Sequence, residues 1–443
     1  MIDVRLAATN PEDSTLVPVS CNARGELNTV APKIEEIPND LKIDGDLTVT
    51  GLINGSTGVG EPGPPGPEGP EGPAGSIELP PGATDGALLG WQDGELVWIT
   101  EPVPPTNTGF RAIIYNGNSG LQTISGLGFS PDLVWAKSRS YSTDHYLFDA
   151  VRGATKDLKS NTTSGEGSNS GLIQFNSDGY DIGSDSSMNT SGRTYVNWCW
   201  AAGDTTVTNN DGSIESQVRS NGGFSVVKYT TPSSGGPWTV GHQLSNTPDF
   251  IITKGLFGSS WIVYHSSVGN TKYLELNTSQ ELIPEIQTWN NTSPSNTVFT
   301  QGTTTWWGAN SAYIAYCWAE TPGVSSFGRY DSTGSRLSIS TGFRPSLVII
   351  RSLETGNWFM FDNARGASNA LYANLNEKEA ETGAIEFQDN GFQLLFALPG
   401  VNENNVTYIY AAFANPEDAL AARRQLRQQE RRERRQQNET RPR

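Results

Sequence analysis

GEPGPPGPEGPEGPAG occupies residues 60–75, and every third residue of this stretch is glycine. Proline or glutamate fills most of the positions between the glycines. Only glycine fits at the crowded axis where three polyproline II chains meet, so a strict period of three predicts a collagen-like triple helix and a homotrimer. The glycines expected at the axis, and hence in trimerisation, are Gly60, Gly63, Gly66, Gly69, Gly72 and Gly75.

A stiff single-chain linker is the alternative for this stretch. Such a linker would use proline but has no need of glycine in register. At about 3 Å per residue, the triple helix would be a rod of about 50 Å. So short a rod cannot hold three chains together unaided. We therefore expect folded segments on both sides of it to supply further trimer contacts.

A threefold internal repeat follows between residues 108 and 414. Each copy has a proline step before an apolar run and closes on an aromatic stretch, at residues 195–201, 313–319 and 408–413. The apolar runs are short, rich in aromatic and β-branched residues, and separated by clusters of Gly, Asn, Ser, Thr and Pro. This pattern predicts strands and turns rather than helices, and it favours β-sandwich modules.

The predicted fold is mainly β. It is an elongated homotrimer with an N-terminal β docking region, a short collagen-like triple helix, three repeated β-sandwich-like modules and a C-terminal basic helix. The predicted domains are 1–59 (docking region), 60–75 (rod), 76–107 (linker or β shaft), 108–206, 207–322 and 323–414 (three modules) and 415–443 (tail).

The chain carries 47 acidic and 30 basic residues, for a net charge of −17. An acidic body repels nucleic acid and anionic membranes, so nucleic acid is not expected as the main partner. No apolar segment follows Met1, and no apolar run is long enough to span a bilayer. We therefore expect a protein that is made and folded in a cytoplasm without membrane insertion.

Basic charge is concentrated at the C-terminus, in a predicted helix that starts with Asn-Pro-Glu-Asp at residues 415–418. This helix has hardly any apolar stripe. It is therefore a solvated helix, a docking segment for an acidic neighbour, or a segment attracted to phosphate-bearing lipopolysaccharide. The arginines of the basic tail are Arg423, Arg424, Arg427, Arg431, Arg432, Arg434 and Arg435.

Few side chains point to catalysis. Cys199 and Cys317 occupy matching places in two repeats and are predicted to be buried, and the three histidines offer little scope for a cysteine–histidine pair. Asp149 and Asp362 are each followed by arginine three residues later, but the second repeat lacks this spacing, so ion pairs within turns are favoured over a catalytic role. Neither a metal site nor a cofactor is predicted. Paired glycosidase carboxylates from distant strands stay open as an alternative.

Tryptophans of the second module are the candidates for stacking on a sugar. They lie in polar, turn-like surroundings, and two of them are adjacent in the sequence. Adjacent strand residues face opposite sides of a sheet, so both cannot easily enter one core. The alternative is that one packs inward and the other covers a neighbouring subunit of the trimer. The candidate glycan-binding residues are Trp238, Trp289, Trp306 and Trp307.

Several phrases resemble those of phage structural proteins. IDGDLTVTG at residues 43–51 is similar to an element found before the shaft of phage tail fibres and related virion appendages. Residues 79–98 look like the small β segments of fibre shafts. The modules, with GFSPDLV at 128–134 and TYVNWCWA at 194–201, resemble repetitive β modules in structural proteins of phages that infect marine cyanobacteria.

The resemblance implies a trimeric, non-enzymatic, tail fibre-like appendage of a virion that is assembled in the host cytoplasm. Its N-terminal region would dock on other virion proteins, and its distal modules would contact a host cell-surface glycan or protein. A capsid decoration or head fibre protein is the first alternative. A glycan-degrading tailspike is the second, although such a protein usually has a long β-helix, which this modular pattern does not resemble.

Replacing Gly66 and Gly69 with alanine should loosen or shorten the trimer, because the triple-helix axis has no room for a Cβ. The measurement is the solution mass of the full chain beside that of the variant, by light scattering. We expect a trimer for the unchanged chain. A monomer in both samples would contradict the triple helix and leave a proline-rich linker.

Overall fold

The computed structural model describes residues 109–415, except 234, 305 and 306, together with the backbone of five strands within residues 5–99. The described elements are strands, which confirms the mainly β fold. No helix among these residues is long and apolar enough to cross a membrane.

Several predicted features lie outside the described residues. They are the collagen-like rod at residues 60–75, the arginine-rich tail from residue 416, and most of the docking region and shaft. The chain divides into two compact units, Met1–Val103 and Pro104–Arg443.

The first unit contains one five-stranded sheet. Its strands are β1 (Arg5–Thr9), β2 (Leu16–Cys21), β3 (Leu27–Thr29), β4 (Leu88–Gln92) and β5 (Glu95–Ile99). The order is β3-β2-β1-β4-β5, in which β1 pairs antiparallel with β2 and parallel with β4. Parallel partners need a long connection, which the chain between β3 and β4 supplies. The sequence assigns these strands to two separate segments, whereas here they share one sheet.

The second unit is built from three modules. The strands of module 1 are β6 (Phe110–Asn116), β7 (Gln122–Ser125), β8 (Leu133–Ser138), β9 (Tyr146–Asp149), β10 (Lys156–Asp157), β11 (Gly167–Ser168), β12 (Leu172–Asn176), β13 (Gly179–Ile182) and β14 (Thr194–Trp200). Those of module 2 are β15 (Val207–Asn209), β16 (Ser216–Ser220), β17 (Phe224–Thr230), β18 (Trp238–Gly241), β19 (Phe250–Gly255), β20 (Trp261–His265), β21 (Lys272–Glu275), β22 (Ile283–Pro284), β23 (Val298–Gln301) and β24 (Ala312–Trp318). Those of module 3 are β25 (Ser325–Asp331), β26 (Leu337–Ser340), β27 (Leu347–Ser352), β28 (Trp358–Asp362), β29 (Asn369–Tyr372), β30 (Ala380–Glu381), β31 (Ile385–Gln388), β32 (Gly391–Leu394) and β33 (Thr407–Phe413).

Each module has an inner and an outer sheet with a repeated strand order. The inner sheets contain β6-β14-β8-β9 in module 1, β17-β24-β19-β20 in module 2 and β25-β33-β27-β28 in module 3. The outer sheets are β12-β13-β7, β18-β23 and β26-β32-β31. In module 2 the hairpin β15–β16 extends the inner sheet beyond β17, an addition that the described parts of the other two modules lack. The sequence repeat thus corresponds to a repeated two-sheet unit.

The aromatic stretch that closes each repeat becomes an interior strand of the inner sheet. In β14, Trp198 and Trp200 are buried on one face and Cys199 on the other. Because both faces of this strand meet a core, its sequence is apolar almost throughout instead of alternating. The equivalent strands β24 and β33 have the same burial pattern.

Inner faces of the three sheets pack on one another in a shared hydrophobic core. Trp200, Trp318 and Phe413 occupy the same position in the last strand of each module. Their ring centroids are 5.8 Å apart for the two tryptophans, 5.5 Å for Trp200 and Phe413, and 5.9 Å for Trp318 and Phe413. The three modules are therefore arranged with approximate threefold symmetry within one chain.

Each module also has its own core between its inner and outer sheets. In each one, a tyrosine from the first strand stacks on a tyrosine from the last strand. The pairs are Tyr115 and Tyr195 at 5.2 Å, Tyr229 and Tyr313 at 5.5 Å, and Tyr330 and Tyr408 at 5.1 Å between ring centroids. Equivalent residues can therefore be compared across the three modules.

Replacing Trp200 with alanine should destabilise all three modules together, because this ring contacts the equivalent rings of both other modules. Loss of a buried tryptophan costs about 3–5 kcal/mol. Calorimetry should show one unfolding transition at a lower temperature. Tyr141 is 53% exposed, so Tyr141→Ala is a control that should leave the Tm nearly unchanged. Separate transitions for the modules would contradict a shared core.

Candidate functional site

Buried cations mark the seams, that is, the contacts between neighbouring modules. Lys254, near the end of β19, is buried, and no carboxylate in the described part of the chain pairs with it. Its Nζ donates to the carbonyl oxygen of Thr163 in module 1 at 3.1 Å and to that of Ser259 in its own module. Carbonyl dipoles from two modules therefore surround this ammonium. Burial lowers the pKa of Lys254 to about 7.

The same contact recurs at the other two seams. Lys137 in β8 donates to the carbonyl oxygen of Asn376 in module 3 at 3.4 Å. Arg351 in β27 donates to the carbonyl oxygen of Gln280 in module 2. Burial lowers the pKa of Lys137 to about 8 and that of Arg351 to about 10. Equivalent cations thus link module 1 to 3, module 3 to 2 and module 2 to 1, which closes a ring of contacts.

In each module, one ring nitrogen also forms a hydrogen bond with a backbone carbonyl of a neighbouring module. The pairs are His145 Nε2 with Tyr372 O, Trp261 Nε1 with Lys159 O, and Trp358 Nε1 with Glu275 O, each 2.9 Å apart. Trp135 Nε1 donates to His145 Nδ1 at 2.9 Å, so the proton of this imidazole is on Nε2. Burial lowers the pKa of His145 well below its ordinary value. His145 is therefore a neutral hydrogen-bond donor to the carbonyl oxygen of Tyr372 in module 3.

The two aspartates considered above as catalytic candidates form buried ion pairs within turns. Arg152 Nε lies 2.5 Å from Asp149 Oδ2, and Arg365 Nε lies 2.6 Å from Asp362 Oδ2. All four side chains are inaccessible to solvent. The predicted ion pairs are confirmed, and no substrate could reach these carboxylates in this conformation.

Each of these carboxylates accepts another hydrogen bond from the neighbouring module. Tyr316 Oη donates to Asp149 Oδ2 at 2.9 Å. Trp198 Nε1 donates to Asp362 Oδ2, also at 2.9 Å. The ion pairs therefore hold two seams as well as two turns.

Module 2 has no aspartate at this position, and the module that it contacts there lacks the hydrogen-bond donor found at the other two seams. The residue equivalent to the aspartates is His265, and Ala411, the residue of module 3 at the strand position of Tyr316 and Trp198, has no side-chain donor. A buried carboxylate there would lack the hydrogen bond that the other two receive. His265 Nε2 instead lies 3.1 Å from the carbonyl oxygen of Tyr410, and burial lowers the pKa of His265 to about 4. This explains the absence of the Asp-Arg spacing from the second repeat.

Cys199 and Cys317 are buried, as the sequence predicts. Burial raises the pKa of both thiols, which keeps them protonated and unreactive. His242 Nε2 lies 3.1 Å from the carbonyl oxygen of Ser295, so all three histidine rings contact backbone carbonyls. Within the described part of the chain, no group of three or more His, Cys, Asp or Glu side chains is placed to hold a metal ion.

Three of the four candidate glycan-binding tryptophans line the interior of module 2. Trp238, Trp289 and Trp307 are 9%, 1% and 8% exposed. The ring centroid of Trp289 lies 6.3 Å from that of Trp307, which lies 5.5 Å from that of Tyr313. Trp306 lies outside the described residues, as do the glycines of the rod and the arginines of the tail. The three described rings therefore do not form an exposed stacking surface.

A cleft of about 650 Å³ lies where the hairpin β15–β16 of module 2 approaches module 1. Small-molecule sites commonly have volumes of about 300–1,000 Å³. The hairpin and β17 supply most of the walls, and Val151 comes from the turn after β9. The lining residues are Val151, Thr206, Ile214, Glu215, Gln217, Lys228, Tyr229, Thr230 and Pro232.

The lining of this cleft carries both charged and neutral polar side chains. Its lining contains one carboxylate, Glu215, and one ammonium, Lys228, together with the amide of Gln217. Glycosidases commonly use a pair of carboxyl groups. Hydroxyl, amide and charged groups on partly exposed side chains can bind a polar surface molecule by hydrogen bonds.

Sequence reasoning missed the cleft because the hairpin carries no distinctive motif. The available signal is the spacing between successive copies of the repeat. Twenty-three residues separate Trp200 from Phe224, whereas eight separate Trp318 from Phe327. The longer connection contains β15 and β16, which form one wall of the cleft.

Residues 106–416 match a protein-family model described as a domain of unknown function, DUF7483. The match spans all three modules and more than half of the chain. A search of curated proteins found no significant match. The matched region is thus the whole body of three modules that share one core, rather than a single repeat.

Replacing Lys254 with methionine should make stability less dependent on pH. Burial lowers the pKa of Lys254 from an ordinary value of 10.5 to about 7. Between these pH values the unfolded chain binds a proton that the folded chain lacks, so the free energy of unfolding rises with pH. The slope from one such group is at most about 1.4 kcal/mol per pH unit.

Urea unfolding at several values between about pH 7.5 and pH 9 measures this slope. We expect a smaller slope for Lys254→Met than for the unchanged protein. Lys272, whose side chain is exposed, provides the control variant Lys272→Met. Equal slopes for the unchanged protein and Lys254→Met would contradict the lowered pKa of Lys254 in the folded protein.

Proposed function

We propose that this chain, which belongs to the DUF7483 family of domains of unknown function, is a structural component of a phage virion. Its role would be that of a trimeric, tail fibre-like appendage that contacts the host surface. The observation that carries the proposal is the glycine register of residues 60–75, because a collagen triple helix requires glycine at every third position. Three chains would join there, with the N-terminal region docked on other virion proteins.

The body of three modules supports a structural role. Its shared core is formed by one chain, and paired polar groups cross all three seams. Such a body needs no second chain to complete that core, so each chain of a trimer could carry one. Three equal bodies on one trimer would bind a host surface multivalently, and multivalency can raise overall affinity by about 100- to 10,000-fold over a single contact.

The cleft beside the β15–β16 hairpin is the proposed host-contact site. It combines an ammonium, a carboxylate and an amide, from Lys228, Glu215 and Gln217, on the rim of module 2. These groups suit the hydroxyl and amide groups of a host cell-surface glycan or protein loop. In this proposal the appendage binds its receptor without changing it chemically.

A capsid decoration or head fibre protein is the second candidate, and the arginine-rich tail is compatible with it. Arginines bind carboxylates in a fork geometry that lysine lacks. A predicted basic helix beginning at residues 415–418 would therefore suit docking on an acidic neighbour in a particle. The same tail would serve a tail fibre if that neighbour were a tail protein.

Electron microscopy of antibody-labelled virions tests the proposal. Antibodies raised against residues 109–415 should label the tail of virions that contain this protein. Labelling of the capsid instead would favour the second candidate. Images of the purified full chain should show three bodies in each particle, and fluorescent full chain should bind host cells. Single bodies together with no cell binding would contradict an appendage of either kind.

A further inference from the structure

The hairpin that forms one wall of the cleft is fastened to module 1 by an ion pair. Arg219 Nη1, in β16, lies 2.5 Å from Oδ1 of Asp132 in module 1. Asp132 is 1% exposed, and its other carboxylate oxygen accepts a hydrogen bond from the N–H of Ala202 at 2.6 Å. Arg219 Nε also donates to Oγ1 of Thr206, a residue of the cleft lining, at 2.9 Å. This ion pair therefore fixes the position of the wall relative to module 1.

The same hairpin is also attached to the outer sheet of its own module. Ser216 Oγ donates to the carbonyl oxygen of Gly241, in β18, at 2.9 Å. The N–H of Ile214, just before β16, donates to Thr239 O at 3.3 Å. Because the hairpin is held on both sides, a bound molecule does not have to order it. This preorganisation lowers the entropic cost of binding in the cleft.

One face of β16 and β17 supplies the polar side chains of the cleft. Gln217 in β16 pairs with Lys228 in β17, and side chains of such a pair lie on the same face of a sheet. The next pair, Val218 and Val227, lies on the opposite face and is fully buried in the core of module 2. Gln217 and Lys228 therefore face the cleft instead of the core.

Lys228 is the charged group of this lining that is left for a ligand. Glu215 accepts a hydrogen bond from Gln217 Nε2 at 3.4 Å, and the same nitrogen donates to Thr208 Oγ1 at 3.0 Å. In the described part of the chain, no carboxylate or carbonyl oxygen pairs with the ammonium of Lys228, although this side chain is partly buried. An ammonium that is partly removed from water is stabilised by an anionic partner.

The sister modules show that the fold does not require a lysine at this position. Lys228, Ile114 and Arg329 each pair with the third residue of the last strand of their module, so they are equivalent. Ile114 is 44% exposed, and the side chain of Arg329 is 57% exposed. In their described parts, neither of these modules has a hairpin beside its first strand. A cation at the floor of a cleft is therefore specific to module 2.

The rest of the lining indicates a ligand with hydroxyl groups and an apolar face. Val151, Ile214 and Pro232 contribute apolar surface, and Thr206 and Thr230 contribute hydroxyl groups. Hydroxyl and amide groups both donate and accept hydrogen bonds, which matches the hydroxyl groups of a sugar. Apolar walls with a few polar groups that fix the orientation of the ligand are typical of small-molecule sites.

An acidic peptide fits this surface less well than a sugar does. Extended peptides commonly bind by adding a strand to the free edge of a sheet. Here β16 pairs with β15 and β17, and β17 pairs with β16 and β24, so the backbone of the polar face has no free edge. A ligand in the cleft must bind mainly through side chains, and the charged one available is Lys228.

We propose that the cleft binds an acidic sugar unit of a host glycan. The carboxylate or phosphate group of the sugar would pair with Lys228, and its hydroxyl groups would bond to Gln217 and the two threonines. The assignment rests on the proposed function, in which this cleft contacts the host surface, and it specifies the chemistry of the contacted molecule.

Titration calorimetry of the full chain tests the site. D-Glucuronate and D-galacturonate are the carboxylate probes, D-glucose 6-phosphate is the phosphate probe, and D-glucose and D-galactose are their neutral counterparts. At least one acidic sugar should bind saturably, and its neutral counterpart should bind at least about tenfold more weakly, because a hydrogen bond to a charged group contributes more than a neutral one. Added salt should weaken the binding of the acidic sugar.

Lys228→Ile installs the residue that module 1 has at the equivalent position, so this variant should fold with a nearly unchanged Tm. It should bind the acidic sugar at least about tenfold more weakly. Lys272 is an exposed lysine of the same module, so Lys272→Ile is the matched control and should keep the affinity of the unchanged protein. Equal affinity in Lys228→Ile and the unchanged protein would overturn the site.

Failure of all three acidic sugars to bind would also overturn the site. N-acetyl-L-glutamate, which has carboxylates but no sugar hydroxyl groups, is the probe for an acidic peptide. If it binds as tightly as the acidic sugars, the cleft recognises a carboxylate alone and the sugar assignment is wrong. Trimer mass and host-cell binding are measured separately. A trimer that binds host cells but no acidic sugar refutes this assignment alone, whereas a monomer that binds the sugar but no cells refutes the virion role alone.

Discussion

Packing of three inner sheets against one another is the interaction on which the rest of the body depends. Each inner sheet is apolar on both faces, so neither face can be left in water. The outer sheet of the same module covers one face. The second face is covered only when three modules meet, with Trp200, Trp318 and Phe413 at the centre. A single repeat would therefore expose a large apolar surface, which explains why the body contains all three.

The shared core also determines the polar chemistry of the seams. Once the sheets meet, a strand-end cation in each module is cut off from water, and backbone carbonyls of the next module receive its hydrogen bonds. Asp149 accepts a hydrogen bond from Tyr316 of the neighbouring module, whereas His265 lies beside the backbone carbonyl of Tyr410. Residues that look like catalytic candidates in the sequence are thus explained by the need to pair buried charge.

Within this nearly regular body, module 2 carries the departures from the repeat. The hairpin β15–β16 builds one wall of the cleft, and its Arg219 pairs with Asp132 of module 1. Neither change is required by the packing that the modules have in common, since modules 1 and 3 form the same sheets without them. Features that the common fold does not require are the best places to look for a binding site. Both of these features lie in module 2, which also contains the tryptophans predicted from the sequence as glycan-binding candidates.

The sequence by itself determined the strands, the three repeats and the burial of Cys199 and Cys317, because alternation, turn residues and repeated phrases are local properties of the chain. It also supplied the glycine register of residues 60–75, whose triple helix stays a prediction. Only the tertiary structure decided that the repeats share a core and that Trp238, Trp289 and Trp307 point inward. Those facts depend on contacts between residues far apart in the chain, which no local pattern encodes.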